Sequence, residues 1–144
     1  MRLVQYIIAN KGLNMSPGKL AAQVAHAAVN GITDLTGVEN ADYYGWRRTG
    51  HTKIVLEARD TEHLYTVERY LKERGIPTIL IIDEGRTEIA PHSPTALATG
   101  VVDKDDENIQ FAFGDLRTYK TPKPEQKGSL DFLKSLRERA KLYP

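Results

Sequence analysis

Lys19, Gln23, His26 and Asn30 recur at i, i+4, i+7 and i+11, a spacing that stacks them on one face of a helix whose other positions are mostly Ala and Val. An ammonium, a carboxamide and an imidazole on one rigid face can bind an anion, hold developing negative charge or move a proton. Buried without partners, such groups would cost several kcal/mol, so the face requires an open cleft, a ligand or partner groups. The small residues around it predict a helix that lies close against a sheet and is heavily buried. Ser16 is placed to N-cap the helix, and Pro17 suits its first turn. Free amides at Gly18 and Lys19, with the positive end of the helix dipole, then form an anion site beside the lysine. The stretch is not a phosphate-binding P-loop, because five residues separate Gly12 from Gly18 and Leu20 stands where a hydroxyl is required.

A second polar set, DEGRTEIAPHSP at residues 83–94, gathers Asp83, Glu84, Arg86, Thr87, Glu88, His92 and Ser93 directly after an apolar run. A carboxylate at the tip of a buried strand, followed by Gly and Thr, suits an acid, a base or an orienting group; the competing reading is an Asx-type turn that closes the strand. A third set places Tyr43, Tyr44 and Trp46 beside Arg47 and Arg48. Such residues can stack on bases and hold phosphates, or the aromatics can lock a short helix onto the core.

The elements that must position these groups follow from the pattern. Residues 3–9 form an apolar, β-branched run with one Gln, which fits a buried strand. The first helix follows and ends at Gly31 or Gly37. Residues 38–48 form a short helix, and residues 52–58 alternate as a strand that ends before the N-cap candidates Asp60 and Thr61. Leu64, Val67, Tyr70 and Leu71 have helical spacing, closed by Gly75, and residues 76–82 are another buried strand. Residues 95–102 form a fourth strand after a connection too short for a helical crossover, which favours antiparallel pairing. Residues 105–116 read as helical. The order predicts an α/β sheet with helices on its faces, whose ligands collect beyond the carboxyl ends of the strands. The domain is expected over residues 1–118, a Pro-containing linker over 119–127 and an amphipathic helix over 128–144, with Leu130, Leu133, Leu136 and Ala140 on one face.

At 144 residues the chain suits one domain able to bury a core. It has no cysteine, which excludes disulfides and thiolate metal sites. No run approaches the ~18 apolar residues of a membrane span, and the N-terminal apolar run is too short for a signal peptide, so a soluble cytoplasmic protein is expected. Residues 1–114 carry 12 Lys/Arg against 15 Asp/Glu, whereas residues 115–144 carry 8 against 4. A basic tail of this kind is either a solvated helix or an added contact to a polyanion such as nucleic acid.

KGLNMSPGKLAAQVAHAAV, together with DEGRTEIAPHSPT, resembles the type-2 peptidyl-tRNA hydrolases of archaea and eukaryotes. The resemblance extends in order over most of residues 1–117, including Trp46, the KIVL strand and the closing GDLRTY. It implies a single three-layer α/β/α domain on a mixed four-stranded sheet, often a homodimer, that hydrolyses the ester joining a peptide to the 3′ end of tRNA without a metal or other cofactor. By position, the family's lysine is Lys19, its helix amide and imidazole are Gln23 and His26, its acid is Asp83 and its threonines are Thr87 and Thr95. Arg86 and Ser93 lie in the same loop. Three features depart from the pattern: Glu84 replaces a small residue, His92 replaces a Gly, and residues 99–101 replace an Ile-Gly-Pro-like segment.

The resemblance implies that Asp83 orients or deprotonates a water, while Thr87 and Thr95 hold that water or the terminal ribose. Lys19 stabilises the oxyanion or binds the terminal phosphate, and His26 and Gln23 orient these groups. Lys11, Lys19, Arg47, Arg48 and Arg86 are the expected phosphate contacts on the tRNA, extended by the basic tail. Glu84 and His92 favour an alternative, a non-catalytic member that binds RNA or a protein. A structural or regulatory protein that uses the C-terminal helix as its partner surface is a further reading.

Overall fold

A computed structural model describes residues 1–84 and 89–120. Strand β1 (Leu3–Asn10) leads through one 3-10 turn into helix α1 (Pro17–Gly31), which continues as a π-helical turn to Thr36. Helix α2 (Ala41–Arg48), β2 (Lys53–Ala58), α3 (Thr61–Glu73), β3 (Thr78–Ile82), β4 (Pro94–Asp103), α4 (Glu107–Phe113) and β5 (Arg117–Thr118) follow. The linker and amphipathic helix expected over 119–144 lie outside the described residues, apart from Tyr119 and Lys120.

The sheet order is β3-β4-β1-β2-β5. Strands β1 and β2 are parallel, with Gln5 opposite Lys53 and Asn10 opposite Ala58. Strand β4 runs antiparallel to both β1 and β3, as its short connection requires. The sheet is therefore mixed, but among the described residues it has five strands rather than the expected four. The fifth holds two residues, and its partner supplies the hydrogen bonds that define it, including one from Tyr119 N–H to Val55 C=O at 2.9 Å. So short a segment carries no periodicity of its own.

Alternation along β1 builds the layers. Val4, Tyr6 and Ile8 point to one face, where they pack with Leu64, Val67 and Leu71 of α3 and with Ile109, Ala112 and Phe113 of α4. Tyr6 and Phe113 stack there with ring centroids 4.0 Å apart, and burial holds the Tyr6 phenol above its usual range. Ile7, from the other face, packs with Ala27 and Ala28 of α1, Ile81 of β3, and Ala96 and Ala98 of β4. The two N-caps expected from the sequence form, whereas α2 and α4 begin later than expected, capped by Asn40 and Asp106. Ser16 Oγ accepts the Lys19 N–H, and Asp60 accepts the His63 N–H.

The heavy burial expected of α1 is not observed. Gln23, Ala27, Ala28 and Gly31 are buried, whereas Ala21, Ala22, Ala25, His26 and Val29 are exposed. The sheet covers one face of α1, and no described element covers the other. Contact on the covered face is close: a Cβ on Gly31 would collide with the Thr99 carbonyl and lie 2.7 Å from Gln5 Nε2. Gln5, fully buried, donates through that nitrogen to Ala28 C=O and Thr99 C=O, each at 2.9 Å, and so ties α1 to β4. Gly37, at φ +84°, is the cap that ends the segment.

Two substitutions probe the two faces. Gly31→Ala is expected to lower the unfolding free energy by about 1–3 kcal/mol through overpacking. Leu64→Ala, on the fully buried α3 face, is expected to cost about 2–5 kcal/mol. Urea titration measures both, and an unchanged Gly31→Ala midpoint would contradict the close approach of α1 to β4.

Candidate active site

Lys19 stands in the first turn of α1, and Asp83 is the residue after β3. The fold joins these positions, 64 residues apart in sequence, as an ion pair with Nζ 2.5 Å from Oδ1. The side chains are 11% and 8% exposed, respectively, so the pair is largely withdrawn from solvent. The Asp83 backbone is fixed from both sides: its N–H donates to Ser93 C=O and its C=O accepts from His92 N–H, both at 2.9 Å. His92 achieves this with φ +60°, the left-handed region where a glycine would be unstrained. Ser93 Oγ donates to Ala90 C=O at 2.6 Å and so shapes the same loop.

One turn along α1, the Gln23 side chain is held by Thr95, whose hydroxyl donates to Gln23 Oε1 at 2.6 Å. Thr95 is fully buried at the start of β4. Its hydroxyl acts on Gln23 and does not face the open site.

Asn10 supports the same corner. It is fully buried, donates from Nδ2 to Thr61 Oγ1 and to Pro94 C=O at 2.9 Å each, and accepts the Gly12 N–H at 3.1 Å. One carboxamide thus joins the end of β1, the start of α3 and the residue before Thr95. Sequence reasoning singled out neither Asn10 nor Gln5 as a positioning group. The available signal was a lone amide inside or at the end of an apolar strand, which must find partners when buried.

Over the ion pair lies a hollow of about 320 Å³, bordered on the helix side by Lys19, Ala22, Gln23 and His26 and on the strand side by Ile81, Ile82, Asp83 and Glu84. It is open to solvent, apolar along Ala22 and the two isoleucines, and charged where Lys19 meets Asp83. His26 is exposed at its rim, so the imidazole is reachable. Glu84 is also exposed there and adds a carboxylate on the strand side. A larger hollow of about 490 Å³ lies near Arg2, Leu3 and Thr52, at the opposite end of β1, and contains no acid–base pair. Among the described residues, no three His, Asp or Glu side chains gather as metal ligands.

The remaining expected residues divide by position. Lys11 pairs with Glu57 Oε2 at 2.9 Å and lies 5.9 Å from the Tyr119 ring. Burial raises the Tyr119 pKa, with the Lys11 charge opposing and Glu57 reinforcing the shift. Lys11 shares the carboxyl end of the sheet with Asp83 but follows β1, two strands away, or about 10 Å across. Arg47 and Arg48 do not join the site. Their helix is anchored by buried Trp46, whose Nε1 donates to Thr52 C=O at 2.8 Å, just before the amino end of β2. That places them about 17 Å along the strands from the site end. The aromatic set therefore locks α2 to the core through Trp46. Arg86 and Thr87 lie outside the described residues.

Fold and site together define an α/β protein with a lysine–carboxylate centre at the carboxyl ends of a mixed sheet. The family model described as Peptidyl-tRNA hydrolase PTH2 matches residues 3–119. A peptidyl-tRNA hydrolase of Halobacterium salinarum is 39% identical over 117 residues, covering 80% of this chain and 98% of the relative. Those of Pyrobaculum aerophilum and Methanopyrus kandleri are each 39% identical, over 122 and 113 residues, covering 81% and 78% of this chain and 98% and 94% of the relatives. The chain belongs to the type-2 peptidyl-tRNA hydrolase family.

Two measurements test the support around Asp83. His92→Gly is expected to stabilise the protein by roughly 0.5–1 kcal/mol, because relief of the left-handed strain exceeds the entropy cost of glycine, while His92→Ala gives no gain. Asn10→Ala is expected to cost about 1–3 kcal/mol by orphaning Pro94 C=O and the Gly12 N–H. A neutral Asn10→Ala in chemical denaturation would show that the corner does not depend on it.

Proposed function

We propose that this protein hydrolyses the ester between a peptide and the 3′ end of tRNA, with the Lys19–Asp83 pair as its reacting centre. The observation that carries this reading is the 2.5 Å contact between an ammonium and a carboxylate at the base of an open hollow, in a chain of this family. A water in the hollow loses a proton to Asp83 as its oxygen bonds to the ester carbonyl carbon. Lys19 has three N–H donors, so it can retain Asp83 and direct another at the carbonyl oxygen as that oxygen becomes anionic. Collapse of the tetrahedral intermediate breaks the bond to the ribose oxygen, which takes the proton from Asp83. The products are a peptide acid and a free tRNA 3′ end.

Gln23, immobilised by Thr95, lines the hollow and orients the ester, and the Thr95 hydroxyl acts through it as a positioning group. His26 at the rim contacts the terminal nucleotide or the leaving oxygen. Thr87 and Arg86 retain the roles that the family resemblance gives them. Ser93 acts through the loop that presents Asp83. Lys11 is the phosphate contact best supported by position, and Arg47 and Arg48 can serve only a distant part of the tRNA. Glu84 and His92 are the features that favour a non-catalytic binder; Glu84 leaves the ion pair intact and is exposed to solvent, and the backbone of His92 holds that of Asp83.

No helix among the described residues is long and apolar enough to cross a membrane. We place the protein in the cytoplasm, where tRNA esters are made. We also infer a homodimer through the exposed apolar surface around Val29 and Val38, which are 60% and 50% exposed and border one hollow with Tyr43 and Trp46. Residues 1–118 are the catalytic domain in this reading, and the segment from 119 onward adds positive charge for tRNA.

Hydrolysis of N-acetyl-aminoacyl-tRNA tests the centre. Lys19→Ala and Asp83→Asn are each expected to lower kcat by ~10²-fold or more, and the double variant to lose little beyond the worse single because the two act as a unit. Circular dichroism verifies that the variants fold; folded variants with near wild-type turnover would remove the assignment. Affinity for tRNA should fall steeply with salt, and deletion of residues 121–144 should reduce that slope. An unchanged slope would exclude the tail from the RNA contact.

A further inference from the structure

The sheet order leaves β3 at one edge: β4 pairs with one side of it, and among the described residues no strand pairs with the other. An edge strand directs the N–H and C=O of every second residue outward, ready to pair with another extended chain. Thr78, Ile79 and Leu80 are half-buried and Ile82 is 42% exposed, so no described element seals this edge. The edge runs into the site, since Ile81 and Ile82 border the hollow and Asp83 follows directly.

We propose that the free edge of β3 is the binding track for the peptide part of the substrate, which adds to the sheet as one more strand; this rests on the hydrolase reading above. The ester is at the peptide's carboxyl end and must sit beside Lys19 and Asp83, at the carboxyl end of β3. The rest of the peptide then extends back toward Thr78, so it runs parallel to β3. At ~3.3 Å per residue, the five residues of β3 offer a track for about four to five peptide residues. Nascent peptides differ in their side chains and share one backbone, so recognition through backbone hydrogen bonds accepts any sequence. The exposed apolar surface of Ile82 and Ala22 meets the residue nearest the ester without demanding a particular side chain.

The test uses the full-length protein and four kinds of tRNA ester: N-acetyl-alanyl, N-acetyl-tetraalanyl, and the tetrapeptide with a single N-methyl group at either odd or even positions. Net gains of roughly fivefold per backbone hydrogen bond predict a kcat/KM at least ~10-fold higher for the tetrapeptide, mainly through KM. N-methylation at alternate positions removes the gain, and at the intervening positions it does not, because a strand presents its amides with a period of two. Equal kcat/KM for one and four residues, or equal losses at every N-methyl position, would overturn the track while hydrolysis itself stands. A homodimer whose β3 amides are protected from hydrogen exchange without substrate would also overturn it, by assigning the edge to a second copy. If none of the esters is hydrolysed, the functional reading fails and the track fails with it.

Discussion

Two charges from distant parts of the chain can be withdrawn from water only if they meet, and the Lys19–Asp83 contact satisfies that constraint at the junction of α1 and β3. Desolvating an ammonium and a carboxylate costs several kcal/mol each, and their attraction in place repays this without a large surplus. The pair is therefore a poor device for stability and a good one for chemistry. It sets a carboxylate and a fixed positive charge side by side at the base of an open hollow. The supporting contacts serve this geometry: the N-cap at Ser16 sets the first turn of α1, and the paired backbone bonds of Asp83 with His92 and Ser93 fix the carboxylate.

The two faces of the sheet carry different burdens. Large side chains fill the α3/α4 face, where Leu64 and Leu71 are fully buried and Tyr6 stacks on Phe113. The α1 face sets the alanines and Gly31 of the helix, with a few buried amides and hydroxyls, against Ile7, Ile81 and the alanines of β4. Small residues let the helix approach closely, but they bury little apolar area, so specific hydrogen bonds set its position. Gln5 ties the end of α1 to β4, Thr95 holds Gln23 in its middle, and Lys19 fixes its start to Asp83. A helix tied at three points along its length holds its polar face in register with the site.

Among the described residues, nothing covers the outer side of α1. The exposed His26 and Ala22 border the hollow over the ion pair, so that surface is accessible from solvent. Among the described residues, positive charge is spread rather than massed near the centre. Lys11 reaches the carboxyl end of the sheet and is partly neutralised by Glu57, while Arg47 and Arg48 belong to the opposite end.

Periodicity and local chemistry made much of this legible in advance. The stripe of Lys19, Gln23 and His26, the Ser16 cap, the placement of Asp83 at the tip of a buried strand, and the antiparallel fourth strand all follow from spacing, because helix and strand repeats are local properties. Sequence could not show that α1 is covered on one side, since alanine suits both a buried and an exposed helix face. It could not show that Thr95 serves Gln23, that Asn10 joins three elements, or that Arg47 and Arg48 are carried away from the site. The two-residue β5 was equally invisible, having no pattern apart from its partner. The residue types and local elements were written in the chain itself; which groups meet, and which stay open to solvent, depended on contacts between segments tens of residues apart, which only tertiary packing can decide.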